Sequence, residues 1–273
     1  LAGIKVDRTQ SKGRIAVVVA EDIIARLPAE YAQYKQDLVL DGWTVHEIVT
    51  PRAPDYLANG TGAKDTNGVP TGPFPTNHIA IRTQIQSLYS TYSNELKNVV
   101  LLGKVPVARS GVGYVGPDGH GNRSACGADA YYADMDGVWT DAGNNFLYYS
   151  AGTSRDSAVG LGTINIAGDN KFDADEMSQL TPNKYLELGF GRIDFSPRIS
   201  GEYESTRTYF NKLHRYKTAS PDFLPGRRAV LRSSFGAVTM AYLAALPGVL
   251  GMTNLDYIVS ADLPAVPGPD YDE

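Results

Sequence analysis

Residues 14–20 of this 273-residue chain have the sequence Arg14-Ile15-Ala16-Val17-Val18-Val19-Ala20, which constrains the architecture more than any other run. Its apolar, largely β-branched residues stand at consecutive positions, so both faces of the strand that they form need cover. A parallel sheet with helices on both sides provides that cover. The run therefore predicts an α/β protein with a mainly parallel sheet.

Further apolar runs predict strands at 44–49, 98–103, 185–194, 228–232 and 256–260. Helical periods between them predict helices from Pro28, after Asn77, over 201–217 and over 237–246. This alternation indicates a three-layer α/β/α sandwich with right-handed crossovers. Its ligands are expected at the carboxyl ends of the strands, and long loops follow Val49, Gly103 and Asp194.

An Asp- and Gly-rich loop insertion extends from residue 128 to 176. Carboxylates that recur at alternate positions among Gly and Asn can turn their oxygens inward around a hard cation, and calcium is the expected ion. The candidate metal ligands form two clusters: Asp134, Asp136 and Asp141, followed by Asp169, Asp173, Asp175 and Glu176. Neither cluster fits the full EF-hand pattern. The alternative is an acidic, solvated loop with ordinary turn-forming residues.

Composition and charge exclude several classes of function. A formal net charge of -5 without a dense Lys/Arg patch argues against a nucleic-acid partner. No apolar run reaches the roughly 20 residues that span a bilayer. The single cysteine, Cys126, excludes an intrachain disulfide framework. The chain begins at Leu1, so we expect either a mature form or an internal fragment.

One loop contains a histidine and the cysteine close together. Gly119-His120-Gly121 precedes Cys126, and this pair is the candidate catalytic dyad of nucleophile and general base. A plain Gly-rich turn explains the same residues, since the members of a dyad usually come from separate strand ends. Residues 111–116 match G-x-G-x-x-G, but they lead into no predicted helix, so a nucleotide site has no support.

Three segments together resemble the gingipain-like cysteine peptidases, the C25 family of the caspase-like clan, and above all their secreted bacterial relatives. The first is the Val99-Val100-Leu101-Leu102-Gly103 strand with Pro106 after it. The second is Asp129-Ala130-Tyr131-Tyr132-Ala133-Asp134-Met135-Asp136-Gly137, and the third is Gly189-Phe190-Gly191-Arg192-Ile193-Asp194, which a Tyr-rich helix follows. The resemblance covers roughly residues 99–258 and implies a caspase-like fold, a secreted or cell-surface location and calcium in the acidic loops.

The chain departs from the family where catalysis is concerned. In gingipain-like enzymes the catalytic His, within Gly-His-Gly, and the catalytic Cys follow two successive strands of the second subdomain. The sequence after Asp194 contains His214, within a predicted helix, and no cysteine. His120 stands upstream, so the family roles cannot be carried onto it.

Two hypotheses follow. The chain is the front portion of a secreted gingipain-like cysteine endopeptidase, inactive by itself, or it is a non-catalytic calcium-binding scaffold or surface-binding protein on the same fold. On the first hypothesis residues 1–220 form the first α/β subdomain and residues 221–273 begin a second one or end a single domain. The expected partners are a protein or peptide substrate and the remainder of a processed precursor.

Overall fold

A computed structural model describes residues 11–53, 77–111, 125–142, 165, 167–175, 177, 180, 182, 185–196, 201–218, 229–232 and 255–258. The chain divides into two compact units, Leu1–His214 with Asp272–Glu273, and Arg215–Tyr271. The predicted domain extents, 1–220 and 221–273, stay a prediction.

A parallel four-stranded sheet forms the centre of the first unit. Its strands are β1 (Gly13–Ala20), β2 (Trp43–Thr50), β3 (Leu96–Leu102) and β6 (Gly189–Ile193). Between β3 and β6 in the chain come two short strands, β4 (Arg109–Ser110) and β5 (Cys126–Gly127), which pair antiparallel with each other. The order of the sheet is β2-β1-β3-β6, and every pair in it is parallel. The predicted α/β class and the parallel sheet are thereby confirmed.

The described α-helices are α1 (Glu21–Arg26), α2 (Pro28–Leu40), α3 (Asn77–Tyr92) and α4 (Glu202–Lys217). Helix α2 begins and ends where the sequence provides start and stop signals. Pro28 stands in the first turn of α2, where its missing N–H costs no hydrogen bond. Gly42 follows α2 with φ +99°, the left-handed conformation that ends a helix.

Two apolar cores lie on the two faces of the sheet, because alternate residues of each strand point to opposite sides. Ala16, Val18, Val99 and Leu101 pack with residues of α3 in one core. The other core contains further β1 residues with side chains from α1, α2 and α4; its members include Val17, Val19, Ile23, Tyr34 and Phe210. Each fully buried Val or Leu contributes about 1.5–3 kcal/mol to folding.

Within the described residues, β6 is the last strand in the order of the sheet. The second unit contains a parallel pair of its own, β7 (Ala229–Arg232) with β8 (Leu255–Ile258), which agrees with the strands predicted at 228–232 and 256–260. The predicted helix at 237–246 lies outside the described residues. None of the helices in the described ranges has the length and apolarity that crossing a membrane requires.

Candidate functional site

The carboxyl ends of β1, β2, β3 and β6 lie at one edge of the sheet, because these strands are parallel. Polar residues come shortly after each of them: Asp22, Arg52, Lys104 and Asp194. Open α/β sheets bind their ligands at this edge. Catalytic groups of an α/β protein are therefore expected at this edge.

Arg52 closes part of this edge. Its Nη1 donates to Asp22 Oδ2 and to Glu202 Oε1, each at 2.7 Å, and its Nη2 donates to Glu202 Oε2 at 2.8 Å. The Tyr203 hydroxyl donates to the same Asp22 oxygen at 2.8 Å. The hydrogen bonds that Arg52 donates to Glu202, more than the one it donates to Asp22, raise the pKa of Arg52 above its ordinary value. The network ties the residues after β1 and β2 to the first turn of α4.

Lys104 is the second cation of this edge. Burial, followed by the charge of Arg52, lowers the pKa of its ammonium group, while Asp194, Glu202 and Asp22 act in the opposite direction. The described residues that directly follow these four strand ends include no histidine or cysteine. Among its described residues, this edge therefore has ion-paired side chains and a lysine, but no thiol or imidazole that could act as nucleophile or base.

Arg192 of β6 connects the three segments that carry the family resemblance. Its Nε and Nη2 donate to the two carboxylate oxygens of Asp129 at 2.7 and 2.8 Å. Its Nη1 donates to the Val105 carbonyl at 2.7 Å and its Nη2 to the Pro106 carbonyl at 3.2 Å. Burial alone would lower the pKa of Arg192, but the bonds to Asp129 outweigh it and raise the pKa. One partly buried guanidinium thus joins the loop after β3, the Asp129 segment and β6.

The first acidic cluster contains Asp134 and Asp136 as predicted, but Glu187 takes the place of Asp141. Asp134, Asp136 and Glu187 each place a carboxylate oxygen within 4.8 Å of the others, and no further group of this kind occurs among the described residues. Calcium binds oxygens at about 2.3–2.6 Å, so oxygens that share one ion lie at most about 5 Å apart. The three residues therefore fit a hard cation, which each would bind through a carboxylate oxygen.

Asp134 also has a structural role. It is almost fully buried, its Oδ1 accepts from the Gly137 N–H at 2.7 Å, and its Oδ2 accepts from Trp139 Nε1 at 2.7 Å. Glu187 Oε2 accepts from the Met135 N–H at 2.7 Å. Gly137 has to be glycine, because a Cβ there would stand 1.9 Å from Asp134 Oδ2. Asp136 is the exposed member of the group.

Helix α3 holds this loop in place. Arg82 donates through Nε and Nη2 to the Asp134 carbonyl at 2.9 and 2.6 Å, and through Nη2 to the Gly137 carbonyl at 3.0 Å. Gln86 donates to the Met135 carbonyl at 2.9 Å. These carbonyls are therefore occupied by the protein's own donors. A cation beside the loop would rely on carboxylates and solvent.

Asp141 lies with the second cluster and not with Asp134. Its Oδ1 and Oδ2 accept from the N–H groups of Gly168 and Asn170 at 2.8 and 2.7 Å. Asp173 Oδ2 accepts from the Ala142 N–H at 2.8 Å. Both carboxylates thereby connect residues 141–142 to residues 168–173. This is the turn-stabilising role that short acidic side chains commonly have.

Asp169 forms a buried ion pair with Lys171. Lys171 Nζ lies 2.5 Å from Asp169 Oδ2, and the two side chains are 4% and 3% exposed. Burial lowers the pKa of Lys171, and the bond to Asp169 opposes that shift. Asp175 is partly buried nearby in sequence, and Glu176 lies outside the described residues. Asp169, Asp173 and Asp175 as calcium ligands stay a prediction.

The candidate dyad is only partly described. Cys126 stands in β5 with its backbone opposite Ser110 of β4. His120 lies outside the described residues. The pairing of His120 with Cys126 therefore stays a prediction.

No model of a known protein family, no curated protein and no solved structure matches this chain. The fold and the two sites above thus define an α/β protein with a parallel sheet and an acidic loop. Its function is inferred from these residues alone.

Glu187 and Arg52 are the residues that the sequence did not reveal. Glu187 lies about fifty positions after Asp136, and only its place between the apolar Leu186 and Leu188 indicates that it faces away from its neighbours. Arg52 follows β2 directly, which is a signal for a site once the sheet is known to be parallel.

Proposed function

We propose that this chain is the front portion of a secreted gingipain-like cysteine endopeptidase. One observation carries the proposal: Arg192 binds both Asp129 and the Val105–Pro106 carbonyls. The three segments of the resemblance are distant in sequence and meet at this side chain. A partly buried arginine with these partners gives the three segments a common structural role, which chance matches would not share.

The finer fold in this proposal is the caspase-like three-layer sandwich. Its support is the distribution of the two cores, with α3 on one face of the sheet and α1, α2 and α4 on the other. The order β2-β1-β3-β6 is also that of a sheet that grows outward in both directions from its first strand.

Catalysis in this proposal belongs to a nucleophilic thiol and an imidazole base on sequence after residue 273. The thiolate would attack the peptide carbonyl, and backbone N–H groups would stabilise the oxyanion. The carboxyl edge of the four-stranded sheet supports this division, since Arg52, Asp22 and Glu202 close it with ion pairs. The first subdomain would contribute structure and not reacting groups.

The test compares this chain with the product of the same reading frame continued past Glu273. Both forms are assayed with fluorogenic peptides and with a thiol-reactive activity probe. We expect the 273-residue chain to be inactive, and the longer form to cleave peptides until its downstream cysteine is changed to alanine. Cleavage by the short chain that Cys126→Ala abolishes would instead assign catalysis to His120 and Cys126.

The second candidate is a calcium-stabilised scaffold at the cell surface. The observation that favours it is the convergence of Asp134, Asp136 and Glu187. A longer form that is folded and has no peptidase activity would support this candidate over the first.

Calcium binding is tested by the melting temperature in calcium and in chelator. A ligand that binds only the folded state at about a hundred times its Kd stabilises by about 2.7 kcal/mol, so calcium should raise the melting temperature. Asp136→Asn should abolish the increase, whereas Asp134→Asn would also break the bonds to Gly137 and Trp139. Glu21→Gln, an exposed change on α1, is the control. A melting temperature that calcium leaves unchanged would exclude the site.

A further inference from the structure

Lys104 follows β3 at the edge of the sheet where open α/β proteins bind their ligands. Hydrogen bonds hold the backbone here to the neighbouring segments. The Lys104 carbonyl accepts from the Ala53 N–H at 2.8 Å, and the Gly103 N–H donates to the Ile193 carbonyl at 2.9 Å. Lys104 itself is partly buried. Neither function proposed above uses its amine.

Four charged groups of the first unit act on this lysine. Arg52 is a second cation, and the carboxylates are Asp22, Asp194 and Glu202. Burial, followed by the charge of Arg52, lowers the pKa of Lys104, and the three carboxylates oppose this shift without cancelling it. A desolvated lysine beside another cation keeps more of its amine neutral, and this neutral form is the nucleophile. Lysines of this kind attack carbonyl compounds.

Asp22 provides a hydrogen-bond acceptor in the same cluster. Its Oδ2 accepts from Arg52 and from the Tyr203 hydroxyl. Its Oδ1 is buried and has no hydrogen-bond donor within the described part of the chain. A buried acceptor without a donor costs free energy, so such an atom in a native structure needs an explanation. A hydroxyl group on a molecule that reacts at this edge would supply the donor.

We propose that Lys104 is the nucleophile of a covalent site for small, neutral aldehydes. Its amine attacks the carbonyl carbon, and one proton passes from the nitrogen to the oxygen, which gives a carbinolamine. The new hydroxyl group would donate to Asp22 Oδ1. It then leaves with the second nitrogen proton as water, and a C=N bond replaces the C=O bond. The step needs no oxidant or reductant, and the assignment does not depend on the peptidase proposal.

The charge of the cluster favours a neutral aldehyde over an anionic one. When Lys104 is in its amine form, three carboxylates are balanced only by the Arg52 guanidinium. Arg192 lies 4.0 Å from Asp194, but it is already bonded to Asp129. The edge therefore keeps a net negative charge, which repels a carboxylate or phosphate group on the incoming molecule.

Reductive trapping tests the proposal. The protein is incubated near neutral pH with propionaldehyde and cyanoborohydride, and peptide mass spectrometry measures the alkylation rate of each lysine. We expect Lys104 to react about tenfold faster than Lys97, an exposed lysine at the other end of β3, because the rate follows the neutral fraction of the amine. The preference should be smaller with glyoxylate, an aldehyde that carries a carboxylate. Lys104→Arg should remove the adduct.

Two substitutions should change the rate at Lys104 in opposite directions. Arg52→Gln removes the neighbouring cation and releases Asp22 and Glu202 from their ion pairs, so the reaction should become slower. Asp194→Asn removes a carboxylate and keeps an oxygen that can accept from the Ser196 N–H, so the reaction should become faster. A general loosening of the fold would accelerate the reaction in both variants.

Three outcomes would overturn the proposal. The first is a rate at Lys104 that does not exceed the rate at Lys97. The second is an equal preference for Lys104 with propionaldehyde and with glyoxylate. The third is a rate that Asp194→Asn fails to raise, and this variant decides alone if Arg52→Gln does not fold.

Discussion

Arg192 shows how much of this structure depends on one side chain. Its guanidinium is planar and has five N–H donors, and here it bonds to one carboxylate and two carbonyls. A lysine at the same position would keep the charge but could not make the paired bond to Asp129. Because Val105 and Pro106 are buried, their carbonyls would be left without water to replace the lost donor.

We expect Arg192→Lys to lower the free energy of unfolding by about 2–3 kcal/mol, since it leaves buried acceptors unpaired. The matched control is Arg207→Lys, whose ion pairs with Glu30 and Glu204 are more exposed, so that this change should lower the free energy of unfolding less than Arg192→Lys does. Urea unfolding of both variants measures the difference. Equal losses in the two variants would contradict the structural role of Arg192.

The sequence predicts the individual strands and helices better than it predicts how they pair. The run at residues 14–20 predicts β1 because apolar residues at consecutive positions leave no face for water, and Pro28 and Gly42 mark the ends of α2. Pairing between strands was less predictable. The place of β6 in the order depends on contacts between distant residues that no local pattern specifies.

In the candidate site too, residues close in sequence could be predicted and contacts between distant residues could not. Asp134 and Asp136 could be predicted because they are neighbours in one loop. Glu187 could not, since the fold alone brings it to them. The place of Asp141 beside the second cluster could not be predicted either, because it accepts hydrogen bonds from Gly168 and Asn170, which are far from it in sequence.

A substitution within β1 tests the importance of the central strand. Val17 is completely buried and pairs with both Glu47 and Val100 in the sheet. We expect Val17→Ala to cost about 2 kcal/mol of stability, because it removes buried methyl groups and leaves a cavity. Val138→Ala, at a position that is 58% exposed, is the control and should cost little. Thermal and urea unfolding would measure both, and a loss of similar size at Val138 would contradict the assigned core.

For the whole molecule, the charge network predicts how stability depends on pH. Burial, followed by the nearby charge of Arg14, lowers the pKa of His46 below its ordinary value of about 6.5. The unfolded chain then binds the proton more tightly, so the contribution of His46 is complete above about pH 6.5 and is lost as the pH falls toward its lowered pKa. Bonds from backbone and Arg207 lower the pKa of Glu30, whose contribution is lost below its ordinary value of about 4.3.

We therefore expect urea midpoints to decrease in two stages between about pH 7 and about pH 3, the first from His46 and the second from carboxylates such as Glu30. His46→Gln removes the titrating group and should flatten the first stage without altering the second. Midpoints measured for both proteins across this range provide the check. A first stage that persists unchanged in the variant would show that another group causes it.

The pairing of β3 with β6 also determines the order in which the sheet can assemble. Asn98 lies beside Gly189, so about ninety residues, including the acidic loop, must be enclosed before these strands meet. We therefore expect β1, β2 and β3 to associate first and β6 to join them afterwards, because its loop closes last. Ile193→Ala should accordingly accelerate unfolding with little change in the folding rate, whereas Val17→Ala should slow folding. Stopped-flow kinetics distinguish the two, and a slower folding rate in the Ile193 variant would place β6 in the nucleus. During synthesis, the unpaired side of β3 is then the surface on which a chaperone would be needed.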